Sequence, residues 1–163
     1  MTATTDNRAK EQAQAQLGSI INMVKRLEHA RDCNGFGCTL TDQEIAEGIN
    51  IYLRPGDVIT EDDRDQYHDE DDAMQVIQED PLHVQVRNDW HSPGDESPPA
   101  EYNILLCTGG PAVRIIGELN EYNEPETADL EYQDWFTAWE RLNIDSEEED
   151  ALIDYARTFC FGY

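Results

Sequence analysis

The stretch Tyr102–Leu119, YNILLCTGGPAVRIIGEL, is the densest apolar run in the chain. Apolar, β-branched residues stand on both sides of Thr108-Gly109-Gly110-Pro111, which predicts two strands joined by a tight hairpin. Alternation puts Tyr102, Ile104 and Leu106 on one face of the first strand, and Val113, Ile115, Gly117 and Leu119 on one face of the second. Leu105, Cys107 and Ile116 fall on the opposite face, which is therefore expected to be partly covered by helices near one end.

Upstream of the hairpin, Leu82, Val84 and Val86 alternate with His83, Gln85 and Arg87, the pattern of a half-buried strand. The segment HSPGDESPP at 91–99 carries three of the seven prolines and is expected to be loop. Downstream, NEYNEPETAD leads to a fourth strand expected over 130–135. The rest of the pattern is helical. Leu17, Ile20, Ile21, Val24 and Leu27 make one stripe between Ala9 and about Arg31, stopped by Gly35 and Gly37. Thr41 and Glu44 form a capping box before Ile45 and Ile49, and Arg54-Pro55-Gly56 ends that helix. Thr60 caps a third stretch whose first half, up to Asp72, is acidic enough to read as loop. Ala73, Met74, Val76 and Ile77 make its second half helical. Ser146 and Glu149 read as the capping box of a last helix with Leu152, Ile153, Ala156 and Phe159 turned inward. The expected fold is α+β, with N-terminal helices, a four-stranded antiparallel β-meander and a C-terminal helix. Residues 1–8 are expected as a disordered tail and 9–163 as a single domain, mainly helical over 9–80 and sheet plus closing helix over 81–163.

Charge is the strongest functional signal. The 163 residues hold 36 Asp plus Glu against 11 Lys plus Arg, a formal charge of −25 and a pI near 4.1. That field disfavours nucleic acid, anionic membranes and acidic ligands as direct partners and favours basic ones. No apolar run approaches the roughly 20 residues of a membrane span, the first twenty residues lack the apolar core of a secretory leader, and four cysteines in a chain with its own core fit a reducing compartment. A cytoplasmic location is expected.

The acids are clustered. One belt holds Asp62, Asp63, Asp69, Glu70, Asp71 and Asp72 within the segment 61–80, and another culminates in Glu147, Glu148, Glu149 and Asp150. Duplex DNA carries one charge per roughly 1.7 Å of axis, so a carboxylate-dense ridge offers a comparable field to a groove built for phosphates. The competing reading is a solvated acidic surface, in its special form an adaptation to high salt, which the presence of only two lysines (Lys10 and Lys25) supports. Trp135 and Trp139, flanked by Asp134 and Glu140, are candidates for an aromatic anchor rimmed by acid, although most of the aromatics near them are expected in the core.

Catalytic signals are weak by comparison. Segment 61–72 lacks the glycine and spaced acids of a calcium loop. His29, Cys33 and Cys38 are spaced by four and five and, with His68, could in principle hold zinc. No Cys-x-x-Cys pair accompanies them, so unpaired structural cysteines and no metal or cofactor are expected. Cys107 precedes Gly109-Gly110, where backbone N–H groups could nest an anion, and His83 or His91 could complete a Cys-His pair; its position on a covered strand face argues for packing instead.

Four blocks, LHVQVRNDWHSPG, EYNILLCTGGPAVRIIGEL, LEYQDWFTAW and YARTFCFG, spanning about 80–162, resemble a family of small acidic proteins of bacterial plasmids, integrative elements and phages. The Cys-Thr-Gly-Gly-Pro-Ala-Val-Arg run is the most specific part. No catalytic residue carries over. The resemblance implies a mobile-element context, in which accessory proteins often inhibit host defence, some as DNA mimics of the anti-restriction or anti-CRISPR type. The expected function is therefore a non-enzymatic inhibitor that occupies the basic groove of a nucleic-acid-binding protein or ribonucleoprotein complex. It would touch neither nucleic acid nor membrane, and a homodimer is compatible with the composition. The alternatives are a small Cys- or metal-dependent enzyme, or an acidic scaffolding protein from a salt-adapted host.

Overall fold

In the computed structural model, which describes residues 3–162, helix α1 (Ala3–Asp32) starts ahead of the expected Ala9. No Gly or Pro interrupts residues 3–17, so nothing local stops the helix from extending N-terminally. Part of the expected tail is thus helical; Met1 and Thr2 lie outside the described residues. The buried stripe of α1 comprises Ala9, Ala13, Leu17, Ile20, Val24 and Leu27.

Helix α2 (Asp42–Gly48) carries the expected Thr41/Glu44 capping box but ends well before the expected Arg54-Pro55-Gly56 stop, because Asn50 already takes a left-handed φ of 58°. The acidic segment expected to begin as loop instead forms two helices, α3 (Glu61–Tyr67) and α4 (Glu70–Glu79). Thr60 caps α3 in a box with Asp63, and the Asp69 carboxylate accepts from the Asp72 N–H at the start of α4. Acids in a first turn satisfy orphan N–H groups and oppose the helix dipole, so the acidity helps these helices form.

The sheet is antiparallel, in the order β1 (His83–Asn88), β2 (Pro99–Cys107), β3 (Ala112–Glu118), β4 (Asp129–Gln133) and β5 (Glu140–Arg141). The expected hairpin is β2–β3. Ile104 lies opposite Ile115 and Ile115 opposite Leu130, an apolar row across three strands with no exposure. The meander has five strands rather than four. Strand β4 ends before 135, where Phe136 takes a left-handed φ of 63°, and the chain returns to pair Arg141 with Glu131. As the edge strand, β1 pairs on one side only and is less buried than its alternation suggested: Leu82 and Val86 are exposed, and Val84 alone of the three packs on the core.

Helix α1 lies over β3 and β4, and α4 and α5 (Ser146–Ala156) both pack against α1. Ala73 and Ile77 from α4, and Leu152, Tyr155 and Ala156 from α5, join Ile104, Ile115 and Leu130 in one core. The cap of α5 sits one residue earlier than expected: Asp145 is extended (φ −87°, ψ 178°) and forms the box with Glu148, so Ser146 is already helical. The helices expected near one end of the opposite sheet face are not found there, because α1, α4 and α5 all stack on the side of Ile104 and Ile115. A second, smaller core unites Ile45, Ala46, Ile59 and Tyr67, ringed by Leu40, Ile49, Ile51 and Leu53. This α2–α3 lobe adjoins the C-terminal end of α1. No helix among the described residues is long and apolar enough to cross a membrane.

Candidate functional site

The acidic belts occupy the first turns of α3, α4 and α5. Several of the acids are engaged within the fold. Asp63 accepts from the Thr60 N–H, Asp69 from the Asp72 N–H and Glu148 from the Asp145 N–H. Glu70 pairs with Arg31 at 2.9 Å and Asp72 with Arg26 at 2.6 Å. Glu149 is half-buried and borders a groove on the open sheet face. By contrast, Asp62, Asp71, Glu147 and Asp150 are exposed and make no ion pair among the described residues.

Arg26 ties the end of α3 and the first turn of α4, both within the 61–80 belt, to α1, and no sequence pattern marks it. Its side chain is 3% exposed. It donates to the Gln66 carbonyl at 2.7 Å and the Tyr67 carbonyl at 3.3 Å, closing the end of α3, and to Asp72 at the start of α4. A buried guanidinium needs such a full set of acceptors. On another side of the same two turns of α1, Ile21, Val24, Lys25 and Glu28 border a groove of about 370 Å³ whose far wall is Asp145, Glu147, Glu148, Asp150 and Asp154. The acidic start of α4 and that of α5 therefore flank one short segment of α1, with Lys25 the cation in the groove. The C-terminal ends of α4 and α5 meet as well, through Tyr155 Oη donating to Asp80 at 2.7 Å and Gln78 Nε2 donating to the Thr158 carbonyl at 2.9 Å.

The aromatic candidates separate. Trp135 is exposed, as an aromatic anchor requires; Phe136 and Trp90, expected mainly in the core, are exposed as well, because these residues sit in loops and turns beyond strand ends, where no layer covers them. Trp139 is half-buried beneath the Arg114 guanidinium, 4.0 Å from its ring centroid. Arg114 also pairs with Glu131 at 2.7 Å. It lines the open-face groove, about 790 Å³ in volume, together with Arg87 and Arg141, which pair with Glu101 and Asp129. Every arginine in that groove has a carboxylate partner, so it presents little net positive field.

Cys107 has the wrong environment for a nucleophile. Its thiol points at the Pro111 carbonyl, 3.7 Å away, and burial pushes its pKa up. An activated thiolate requires the opposite shift.

The four residues of the discounted zinc pattern are brought together by the fold. His29 Nε2, Cys33 Sγ, Cys38 Sγ and one nitrogen of His68 lie within 4.8 Å of one another, all half-buried. His29 and Cys33 are one turn apart at the end of α1, with the Cys33 N–H donating to the His29 carbonyl at 2.8 Å. Gly35 (φ 91°) and Gly37 (φ 71°) then turn the chain so that Cys38 returns. His68, between α3 and α4, bonds the Arg64 carbonyl through Nδ1 at 2.7 Å and faces His29 Nε2 at 3.1 Å through Nε2. The local signal was the His29/Cys33 helical spacing followed by a two-glycine loop; the fourth member is supplied by a tertiary contact. Comparison with family models, curated proteins and solved structures finds no match for this chain, so its reading rests on this geometry.

Proposed function

We propose that the chain is a non-enzymatic acidic binding protein that occupies the phosphate-binding groove of a basic nucleic-acid-binding protein or ribonucleoprotein complex. Such an inhibitor would be of the anti-restriction or anti-CRISPR type that the family resemblance implies. The observation that carries the reading is the placement of the α4 and α5 first turns beside the same segment of α1. It brings the acidic starts of α4 and α5, distant in sequence, to the flanks of one segment of α1. Asp62, Asp71, Glu147 and Asp150 are the carboxylates free for a partner, while Asp63, Asp69, Asp72 and Glu148 hold the helices that display them. Attraction of this kind speeds association and weakens with salt. The raised pKa of Cys107 argues against the thiol-enzyme alternative.

The test is capture of host proteins at low salt, with elution by a salt gradient and, separately, by competing duplex DNA or RNA. Recovery of a nucleic-acid-binding protein that nucleic acid displaces, and that a D62N/D71N/E147Q/D150N variant no longer retains, supports the reading. Partners retained equally by that variant, or indifferent to nucleic acid, overturn it.

A further inference from the structure

We propose that His29, Cys33, Cys38 and His68 form a closed four-ligand site for one zinc ion, and that this ion staples the α2–α3 lobe to the end of α1. The two distances at His29 Nε2 fit the edges of a tetrahedral ion, and the other ligand atoms lie within 4.8 Å, close enough for small side-chain shifts to complete it. With zinc–sulfur bonds of about 2.3 Å and zinc–nitrogen bonds of about 2.0–2.1 Å, the edges of the tetrahedron are about 3.3 Å between nitrogens and about 3.6 Å between nitrogen and sulfur. The structure has 3.1 Å between the two Nε2 atoms and 3.5 Å from His29 Nε2 to Cys38 Sγ.

Donor orientation agrees. The short contact from His68 Nδ1 to the Arg64 carbonyl requires the proton on Nδ1, which leaves the Nε2 lone pair directed into the cluster. Backbone carbonyls hold metal-bound histidines in this way. In the absence of an ion, His29 Nε2 can donate to His68 or accept from Cys38, but a single ring nitrogen cannot do both. An ion accepts all four lone pairs at once. Gly35 takes a left-handed φ of 91° that L side chains rarely adopt, and this turns the loop back past the His68 ring. Asn34 Oδ1 accepts from the Phe36 N–H at 3.0 Å, bracing the loop between the two cysteines.

Two thiolates and two imidazoles suit zinc and exclude magnesium and calcium, which prefer oxygen. Four protein ligands leave no open position, so the ion is structural rather than catalytic. The lobe has a use for it, because its core of Ile45, Ala46, Ile59 and Tyr67 is small, and little cores commonly rely on a metal or disulfides.

The experiment is metal analysis of the full chain, purified under reducing conditions from zinc-supplemented cells, with cobalt exchanged into the apo form. One zinc per chain is expected. Cobalt should give the visible bands of a tetrahedral ion together with sulfur-to-cobalt charge transfer. Cys33→Ser/Cys38→Ser should abolish both readouts, and Cys107→Ser/Cys160→Ser should retain both. Because the first pair of substitutions can loosen the lobe, the wild-type cobalt spectrum stands as an independent readout. Metal-free protein that gives no thiolate–cobalt band overturns the site, as does a Cys33–Cys38 disulfide in fresh reduced material or dependence on Cys107 or Cys160 instead.

Discussion

The sheet with its helical layer and the α2–α3 lobe are held by different physics. In the first, Ile104, Ile115 and Leu130 form a continuous row beneath α1, and α4 and α5 close over it with Ile77, Leu152 and Tyr155. The lobe has a handful of apolar residues. Its attachments are polar: Arg26 on the carbonyls of Gln66 and Tyr67, and the histidine–cysteine cluster at the junction of α1 with the α3–α4 turn; within the lobe Arg64 pairs with Asp42. Buried apolar area is non-directional and forgiving, whereas a polar junction depends on every partner being present. The difference predicts that the lobe opens on its own while the sheet unfolds only globally.

The largest expected effect tests this contrast with two isoleucines that are both fully buried, Ile115 in β3 and Ile45 in α2. Ile115→Ala should lower global stability by about 2–5 kcal/mol in denaturant titration. Ile45→Ala removes the same atoms, yet should mainly raise hydrogen exchange across the lobe and shift the global midpoint much less. Equal global losses would mean that the two regions form one cooperative unit.

A smaller effect comes from the contact that joins α4 to α5. Burial pushes the Tyr155 hydroxyl far above its ordinary value of 10.0, and its hydrogen bond to Asp80 adds to the shift; Tyr102 is raised in the same direction, chiefly by burial. The folded state thus keeps these protons after the unfolded chain has released them, so stability is complete below the ordinary tyrosine range and declines as pH rises through and above it. Denaturant midpoints should fall above about pH 10. Tyr155→Phe should flatten that decline and cost about 1 kcal/mol at neutral pH. An unchanged alkaline slope would show that Tyr155 is not the titrating group. Of similar size at neutral pH but without the alkaline component, Asp145→Ala removes the α5 cap and should cost about 1 kcal/mol, read as a shift in thermal midpoint. A neutral outcome would mean that Ser146 takes over the cap, as its position in the sequence suggested.

How much of this was legible follows the range of the interactions. The hairpin, the Thr41 box and the Thr60 cap were readable because they are set within a few residues. The acidic segment 61–72 reads as loop from its composition yet is helical, because Asp63 and Asp69 act as local acceptors for N–H groups at the helix starts. Leu82 and Val86 alternate like buried residues, but burial depends on what covers a strand, and β1 is an edge. The acidic belts were visible as runs, whereas their shared place beside α1 depends on Arg26 and on helix packing. The spacing of His29, Cys33 and Cys38 lacks a Cys-x-x-Cys pair, and His68 joins them only because α4 packs on α1 and Arg26 holds the end of α3.

The contrast between the regions is tested most directly by hydrogen exchange read by mass spectrometry on the zinc-loaded chain, with and without a chelator. Loss of the ion should increase exchange over 33–69, sharply in α2 and α3, while amides of β2 and β3 keep their protection. Unchanged exchange in the lobe would contradict the metal staple, and an equal loss of protection in lobe and sheet would contradict the division of the fold into two regions.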